Sequence, residues 1–319
     1  MTIPYFDASA VRAAAPFDRA VRALEEALLA GLDPEFDSPR LFSPAPAGEF
    51  LIMPTEGARY SGIKAVTIAP GNPAHGLEKI QGVYILFDSA TLAPAALMDG
   101  TELTAIRTPA TTLTAVKHIA AAAPEGEELG TAPHILVFGA GPQAVNHIRA
   151  AHAVFPQARY SVVGRRAHRI EALIRTLAAE GTQVEDASGA MEETVAAADV
   201  ILCVTSSSEP LFAGHLPRNG AIIASVGQHG LDAREVDETL VRRSDVVVEG
   251  RASAWRESGD LIPARTVREW QEINPPNLQD LVRGKLTRRP ATCCLFTGVG
   301  MAWEDLVTAA VVYEEGRRT

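Results

Sequence analysis

Between residues 134 and 300 short apolar runs alternate with segments of helical period. Runs at 134–139, 159–163, 199–204, 220–226, 244–249 and 292–296 predict strands buried on both faces, and 142–153 and 167–179 predict helices between them. That alternation is the pattern of an α/β protein with a doubly wound parallel sheet. Upstream the rhythm differs. Residues 9–30 predict one amphipathic helix with Val21, Leu24, Leu28 and Leu29 on its apolar side, stopped at Gly31. The Pro-rich stretch from Asp37 resists helix formation. Strand-like runs at 49–53, 63–68, 82–87 and 95–98, separated by Gly, Pro and Asn turns, predict a mainly antiparallel sheet. A helix is expected from Thr101 to about Ala123, a linker from Pro124 to Pro133, and a last amphipathic helix over Trp303–Glu315 that packs back on the first domain. The expected organisation is residues 1–123 with 301–319 as one domain and 124–300 as a Rossmann domain.

Composition narrows the class. The 319 residues are 47% hydrophobic and carry a formal charge of −10, which excludes the basic face of a nucleic-acid binder. No apolar run approaches the roughly 20 residues of a membrane span. The N-terminal stretch lacks a signal-peptide pattern, so a cytoplasmic protein is expected. Cys203, Cys293 and Cys294 each sit in an apolar run without CxxC spacing, and read as reduced core thiols. No metal site is predicted.

The chemistry begins at the first Rossmann strand. His134-Ile-Leu-Val-Phe138 runs into Gly139-Ala-Gly141-Pro142-Gln143-Ala144, a strand turning sharply into a helix whose N-terminus can hold a pyrophosphate. The second strand ends in Gly164-Arg165-Arg166, with no acidic residue to bind a ribose 2′-hydroxyl and two guanidiniums suited to a 2′-phosphate. NADP(H) is therefore the expected cofactor and NAD(H) the second choice. Alone, Arg165 and Arg166 also fit solvated residues opening a helix. Lys64 places a charge in an apolar strand and calls for a partner.

The chain resembles the ornithine cyclodeaminase/mu-crystallin family. The resemblance is carried by Pro39-Arg40, Met53-Pro54, Gly62-Ile-Lys64, Pro70-Gly-Asn72, Leu103-Thr-Ala-Ile-Arg-Thr108, Arg234-Glu-Val-Asp237, Glu257-Ser-Gly-Asp260 and Gly300-Met-Ala-Trp-Glu-Asp-Leu306, together with the glycine turn. It implies a Rossmann domain plus a second α/β domain, here residues 1–123 with 301–319, that binds substrate and mediates a homodimer, and chemistry at the α-carbon of amino or imino acids. It also implies that Arg40, Lys64 and Arg107 bind a substrate carboxylate, and that Thr205, Val226, Gly298 and Val299 line the cofactor. Without the resemblance, Arg40 fits a solvated loop residue and Arg107 an exposed helical one.

Two departures matter. Where cyclodeaminases carry a Glu shortly before Met-Pro this sequence has Leu51, and where they carry an Asp after the fifth Rossmann strand it has His229. A diamino acid thus lacks partners for its amines, which disfavours ornithine cyclodeamination. His229 fits a proton donor to an imine, or a residue that only touches the nicotinamide ribose or amide. Lys79 stands where some relatives place a cofactor-contacting Thr. The expected activity is NAD(P)H-dependent reduction of a 2-imino carboxylate, cyclic or linear, to the L-amino acid, with Lys64 and His229 as catalytic residues. An amino acid dehydrogenase of the alanine dehydrogenase type and a non-catalytic, crystallin-like NADP(H)-binding protein are the alternatives.

Overall fold

This computed structural model describes residues 2–228 and 230–317, so His229 lies outside the described residues. Backbone contacts divide the chain into two compact units, residues 1–27, 36–108 and 301–319 in one and 28–35 and 109–300 in the other. The division falls inside a helix, between Thr108 and Pro109.

The first unit opens with β1 (Tyr5–Phe6), α1 (Ala8–Ala14) and most of α2 (Phe17–Ala30). The single helix expected over 9–30 is thus two, because Pro16 has no N–H to continue the ladder. Asp7 caps α1, its Oδ1 accepting the Ala10 amide at 2.9 Å. Val21, Leu24 and Leu28 are buried as expected, but Leu29 is exposed because it falls off that stripe. Next come β2 (Leu41–Ala45), β3 (Gly48–Thr55), β4 (Tyr60–Ile68), β5 (Ile80–Asp88), β6 (Pro94–Asp99) and α3 (Gly100–Ala121). The six strands form one sheet in the order β1-β6-β5-β4-β3-β2, antiparallel except where β1 joins β6.

Period-two alternation gives this sheet two different faces. Register places Met53, Lys64, Tyr84 and Met98 side by side across β3 to β6, all buried. The opposite face carries the row Pro54, Ile63, Ile85 and Leu97, each only partly buried.

The second unit holds β7 (His134–Phe138), α4 (Pro142–Val154), β8 (Arg159–Val163), α5 (Ala167–Ala179), β9 (Val184–Asp186), α6 (Met191–Ala197), β10 (Val200–Cys203), β11 (Ile222–Ser225), α7 (Glu238–Arg243), β12 (Ser244–Val248), α8 (Arg251–Glu257), α9 (Val267–Ile273), α10 (Leu278–Val282) and β13 (Cys293–Thr297). Its sheet is parallel throughout, in the order β12-β13-β11-β10-β7-β8-β9. Strand order reverses at β7, so the switch point where nucleotides bind falls at the end of that strand. The three cysteines are free and buried, and burial pushes the Cys294 thiol up to about 12, which leaves it unreactive.

The chain then returns to the first unit with α11 (Ala302–Gly316), which packs on α1 and on β3, β4 and β5. Among the described residues no helix is long and apolar enough to cross a membrane.

Candidate active site

Lys64 finds the partner that its place in an apolar strand demands. Its ammonium is 2.7 Å from Asp305 Oδ2 on α11 and donates to Thr104 Oγ1 on α3 at 3.3 Å. Arg107, on the same face of α3 one turn later, donates through Nε to Asp305 Oδ1 at 3.2 Å and through Nη1 to Glu304 Oε2 at 2.8 Å. All four side chains are almost completely buried. Charges at this depth persist only where each is paired and hydrogen-bonded.

The carboxylates reach this depth because they occupy the first turn of α11, where unpaired amides and the helix dipole favour negative charge. Glu304 Oε1 accepts the Met301 amide at 3.2 Å. Asp37 completes the cap, accepting the amides of Ala302 at 2.9 Å and Trp303 at 3.1 Å. Burial, reinforced by the charges of Glu304 and Asp305 against the opposing hydrogen bonds, pushes the Asp37 carboxyl up to about 7. Burial pulls Lys64 down to about 8, and Arg107 and Arg40 act in the same direction while Asp305 opposes them. Arg40, half-buried just before β2, lies near enough to Lys64 for its charge to act on it. Lys64 and Arg107 are therefore gathered, with Arg40 near Lys64, and they face Glu304 and Asp305, which sequence reasoning did not assign as their partners.

Two features shape the walls. Leu51, the replacement for the cyclodeaminase carboxylate, packs with Met53, Val66 and Ala302 in an apolar cluster. A Cβ at Gly62 would fall 1.9 Å from the Tyr84 hydroxyl, so the glycine of Gly62-Ile-Lys64 makes room for that ring. The Tyr84 hydroxyl is itself buried without a hydrogen-bond partner.

In the second unit, Gly139 ends β7 with φ of +123°, a conformation that glycine adopts without strain. Gly141 precedes α4 with no side chain capping the helix, and Pro142 occupies its first turn. Ala144, in the third position of the fingerprint, is buried as close helix–strand packing requires. Gln143 offers its carbonyl oxygen to Nδ1 of the buried His147, whose pKa burial pulls down to about 4, so this imidazole is neutral and holds the first turn of α4 in place. Arg165 and Arg166 lie exposed between β8 and α5, and among the described residues neither enters an ion pair. Thr205 lies two residues past the end of β10 and Val226 directly follows β11; Gly298 and Val299 follow β13, with the Val299 amide donating to Glu249 Oε2 at 3.0 Å. All six positions lie at carboxyl ends of parallel strands, where doubly wound sheets bind ligands.

A parallel sheet of this order, with a glycine turn and an uncapped helix at its switch point, defines a Rossmann-type dehydrogenase fold. The chain belongs to the ornithine cyclodeaminase/mu-crystallin family, whose model matches residues 7–319. It is similar to Delta(1)-pyrroline-2-carboxylate reductase 2 of Burkholderia ambifaria, 33% identical over 306 residues, covering 95% of this chain and 93% of the relative. A Delta(1)-pyrroline-2-carboxylate/Delta(1)-piperideine-2-carboxylate reductase of Azospirillum brasilense is likewise 33% identical over 95% of this chain and 93% of its own length. Among solved structures, Delta(1)-pyrroline-2-carboxylate reductase of Thermococcus litoralis in complex with NADH and L-proline matches with a TM-score of 0.82 at 26% identity, over 99% of this chain and 98% of that one.

Proposed function

We propose that the protein is an NAD(P)H-dependent reductase of a cyclic 2-imino carboxylate with a five- or six-membered ring, forming the L-amino acid. The observation that carries this reading is the buried cluster of Lys64, Arg107, Glu304 and Asp305, with Arg40 and Asp37 beside it. Glu304 and Asp305 hold Lys64 and Arg107 in place, and Arg40 adds a further cation near Lys64 for the single carboxylate of an imino acid. The reductases similar to this chain are named for such substrates.

Arg40 and Lys64 hold the substrate carboxylate, the guanidinium through paired hydrogen bonds and the ammonium as a point charge. Arg107 joins them as the third cation while fixing Asp305 and Glu304, and so the direction of Lys64. Gly139, Gly141, Pro142, Gln143 and Ala144 hold the pyrophosphate, and Thr205, Val226, Gly298 and Val299 line the nicotinamide end. NADP(H) is preferred because Arg165 and Arg166 stand where a 2′-phosphate binds. The bound nicotinamide supplies the hydride to C2 of the imine. Lys64 carries the proton for the ring nitrogen, with His229 the second candidate by its ordinary acidity. Leu51 gives an amine-bearing side chain no carboxylate, so L-ornithine is not a substrate.

The test is NADPH oxidation with Δ1-pyrroline-2-carboxylate, with pyruvate plus ammonia, and the release of ammonia from L-ornithine. Turnover is expected with the cyclic imine alone, yielding L-proline. Its KM rises with pH, first as Asp37 gives up its proton near 7 and again as Lys64 does near 8, because each step removes positive charge from the cluster. Turnover of only the open-chain pair would exclude the cyclic substrate, and tight NADPH binding without any turnover would mark a binding protein.

We further propose that the partly buried row Pro54, Ile63, Ile85 and Leu97 is covered by a second copy of the chain. A contiguous apolar sheet face of this kind is a liability on a monomer. Ile85→Lys is expected to convert a homodimer to a monomer in light scattering. A wild-type monomer, or a dimer unaffected by the substitution, would refute the proposal.

A further inference from the structure

Two buried carboxylates of the second unit, Glu235 and Asp260, play no part in the reaction as proposed. Glu235 lies in the loop after β11, and Asp260 follows α8. Glu235 Oε1 accepts both the amide and the hydroxyl of Thr205, at 2.6 and 2.7 Å, and Oε2 accepts the Gly227 amide at 2.8 Å. Asp260 Oδ1 accepts the amides of Glu235 and Val236, at 2.8 and 3.1 Å. The Ser225 hydroxyl oxygen sits between the two acids, 3.1 Å from Glu235 Oε2 and 2.5 Å from Asp260 Oδ2. Among the described residues no lysine or arginine forms an ion pair with either acid. The titratable and charged groups bearing on them are Arg234 in the Glu235 loop, which favours ionised Asp260, and the Cys203 thiol at the end of β10, kept neutral by burial and by the two carboxyls.

A hydroxyl owns one proton. With both acids ionised, Ser225 could donate to one of them and would turn a lone pair toward an anionic oxygen of the other, in a site sealed from water. One added proton on Glu235 Oε2 closes the chain. Glu235 then donates to Ser225 Oγ, Ser225 donates to Asp260 Oδ2, and every amide contact is kept. We propose that Glu235 and Asp260 share a single proton through Ser225, and that this proton sets the positions of Thr205 and Gly227 at the nicotinamide end of the cofactor site. Arg234 favours the ionised form of Asp260, which holds the charge, and Glu235 holds the proton. Burial, partly opposed by its hydrogen bonds, raises the Glu235 carboxyl to about 7, in keeping with that assignment. Both are positioning residues, and the proposal rests on the cofactor-lining role given to Thr205 and Val226.

Between the ordinary carboxylate range and about 7, the folded protein holds a proton that the unfolded chain has lost. Stability from this group is therefore present at low pH and is lost as pH rises through about 7. Glu235→Gln keeps a donor toward Ser225 Oγ at every pH and should remove the dependence, although its amide nitrogen faces the Gly227 N–H and lowers the melting temperature throughout. Asp260→Asn keeps an oxygen for the two amides and donates through its nitrogen to Ser225 Oγ, which can then donate to ionised Glu235, so it too should remove the dependence.

Thermal unfolding of the apo protein and NADPH affinity would be measured from pH 6 to 9 for the wild type and both variants. Across that range the wild-type affinity is expected to fall at least about threefold more than that of Glu235→Gln. The melting temperatures of both variants should gain on that of the wild type as pH rises, because neither needs the added proton. Melting profiles against pH that run parallel for the wild type and both variants would overturn the shared proton. A wild type that binds no NAD(P)H at any pH would instead refute the cofactor reading, and the melting comparison would still decide the proton.

Discussion

Lys64→Ala is expected to lower kcat/KM for a cyclic imine by about 10²–10³-fold, the scale of losing one preorganised charge at a reacting centre. It is also expected to destabilise the protein by about 3–5 kcal/mol, the usual result of removing one partner from a buried ion pair. The second effect follows from geometry. Asp305 has Lys64 at 2.7 Å on one oxygen and Arg107 at 3.2 Å on the other, with no exposure to water. Without Lys64 the Oδ2 side of a buried carboxylate faces no charge.

The two effects can be separated. Replacing both partners by apolar residues of similar volume removes the unpaired charge along with the pair, and such exchanges are often neutral for stability. Lys64→Met combined with Asp305→Leu should therefore recover most of the melting temperature while turnover stays lost, because Arg107 keeps its 2.8 Å bond to Glu304. NADPH affinity, measured by fluorescence titration, should stay within about threefold of the wild type in every variant that folds, since the glycine turn belongs to a different compact unit. Recovered turnover in the double variant would show that Lys64 acts only through the fold. Loss of NADPH binding in a folded variant would move Lys64 to the cofactor.

The sequence made the cations legible and hid their partners. A lysine inside an apolar strand is an anomaly visible one residue at a time, whereas Asp305 sits 241 positions away in a helix whose Glu-Asp pair resembles an ordinary acidic first turn. Asp37 has no local mark either. Its hydrogen bonds go to amides 265 and 266 positions away. The parallel sheet was readable because fully buried strands write continuous apolar runs between helices, and most of those runs fall within two residues of the strands. The short strands β1 and β9 left no pattern, at two and three residues. The break at Pro16 stands in the sequence but was passed over, because the apolar stripe that marks the helix lies wholly after it. Glu235 and Asp260 appeared only as matching stretches of a family, because a shared proton depends on distances across three loops that no spacing encodes.

Arg165→Asp is expected to reverse the cofactor preference, lowering the ratio of kcat/KM with NADPH to that with NADH by about 10²-fold or more. A charge-assisted guanidinium–phosphate contact contributes about 1.5–3 kcal/mol, and the new carboxylate adds repulsion against the 2′-phosphate. With NADH the same carboxylate can accept the ribose 2′-hydroxyl, the role an acidic residue plays at this position of NAD-specific sheets. Because Arg165 is exposed and makes no ion pair among the described residues, the substitution should leave the melting temperature nearly unchanged, within about 0.5 kcal/mol of stability. The ratio is therefore a clean readout of phosphate recognition. An unchanged ratio in Arg165→Asp, with a shifted one in Arg166→Asp, would move the phosphate contact one residue along, to the position that opens α5. If neither substitution changed the ratio, the exposed guanidiniums would be solvated residues and the NADP(H) preference would be wrong, while the glycine turn at Gly139 and Gly141 would still hold the pyrophosphate common to both cofactors.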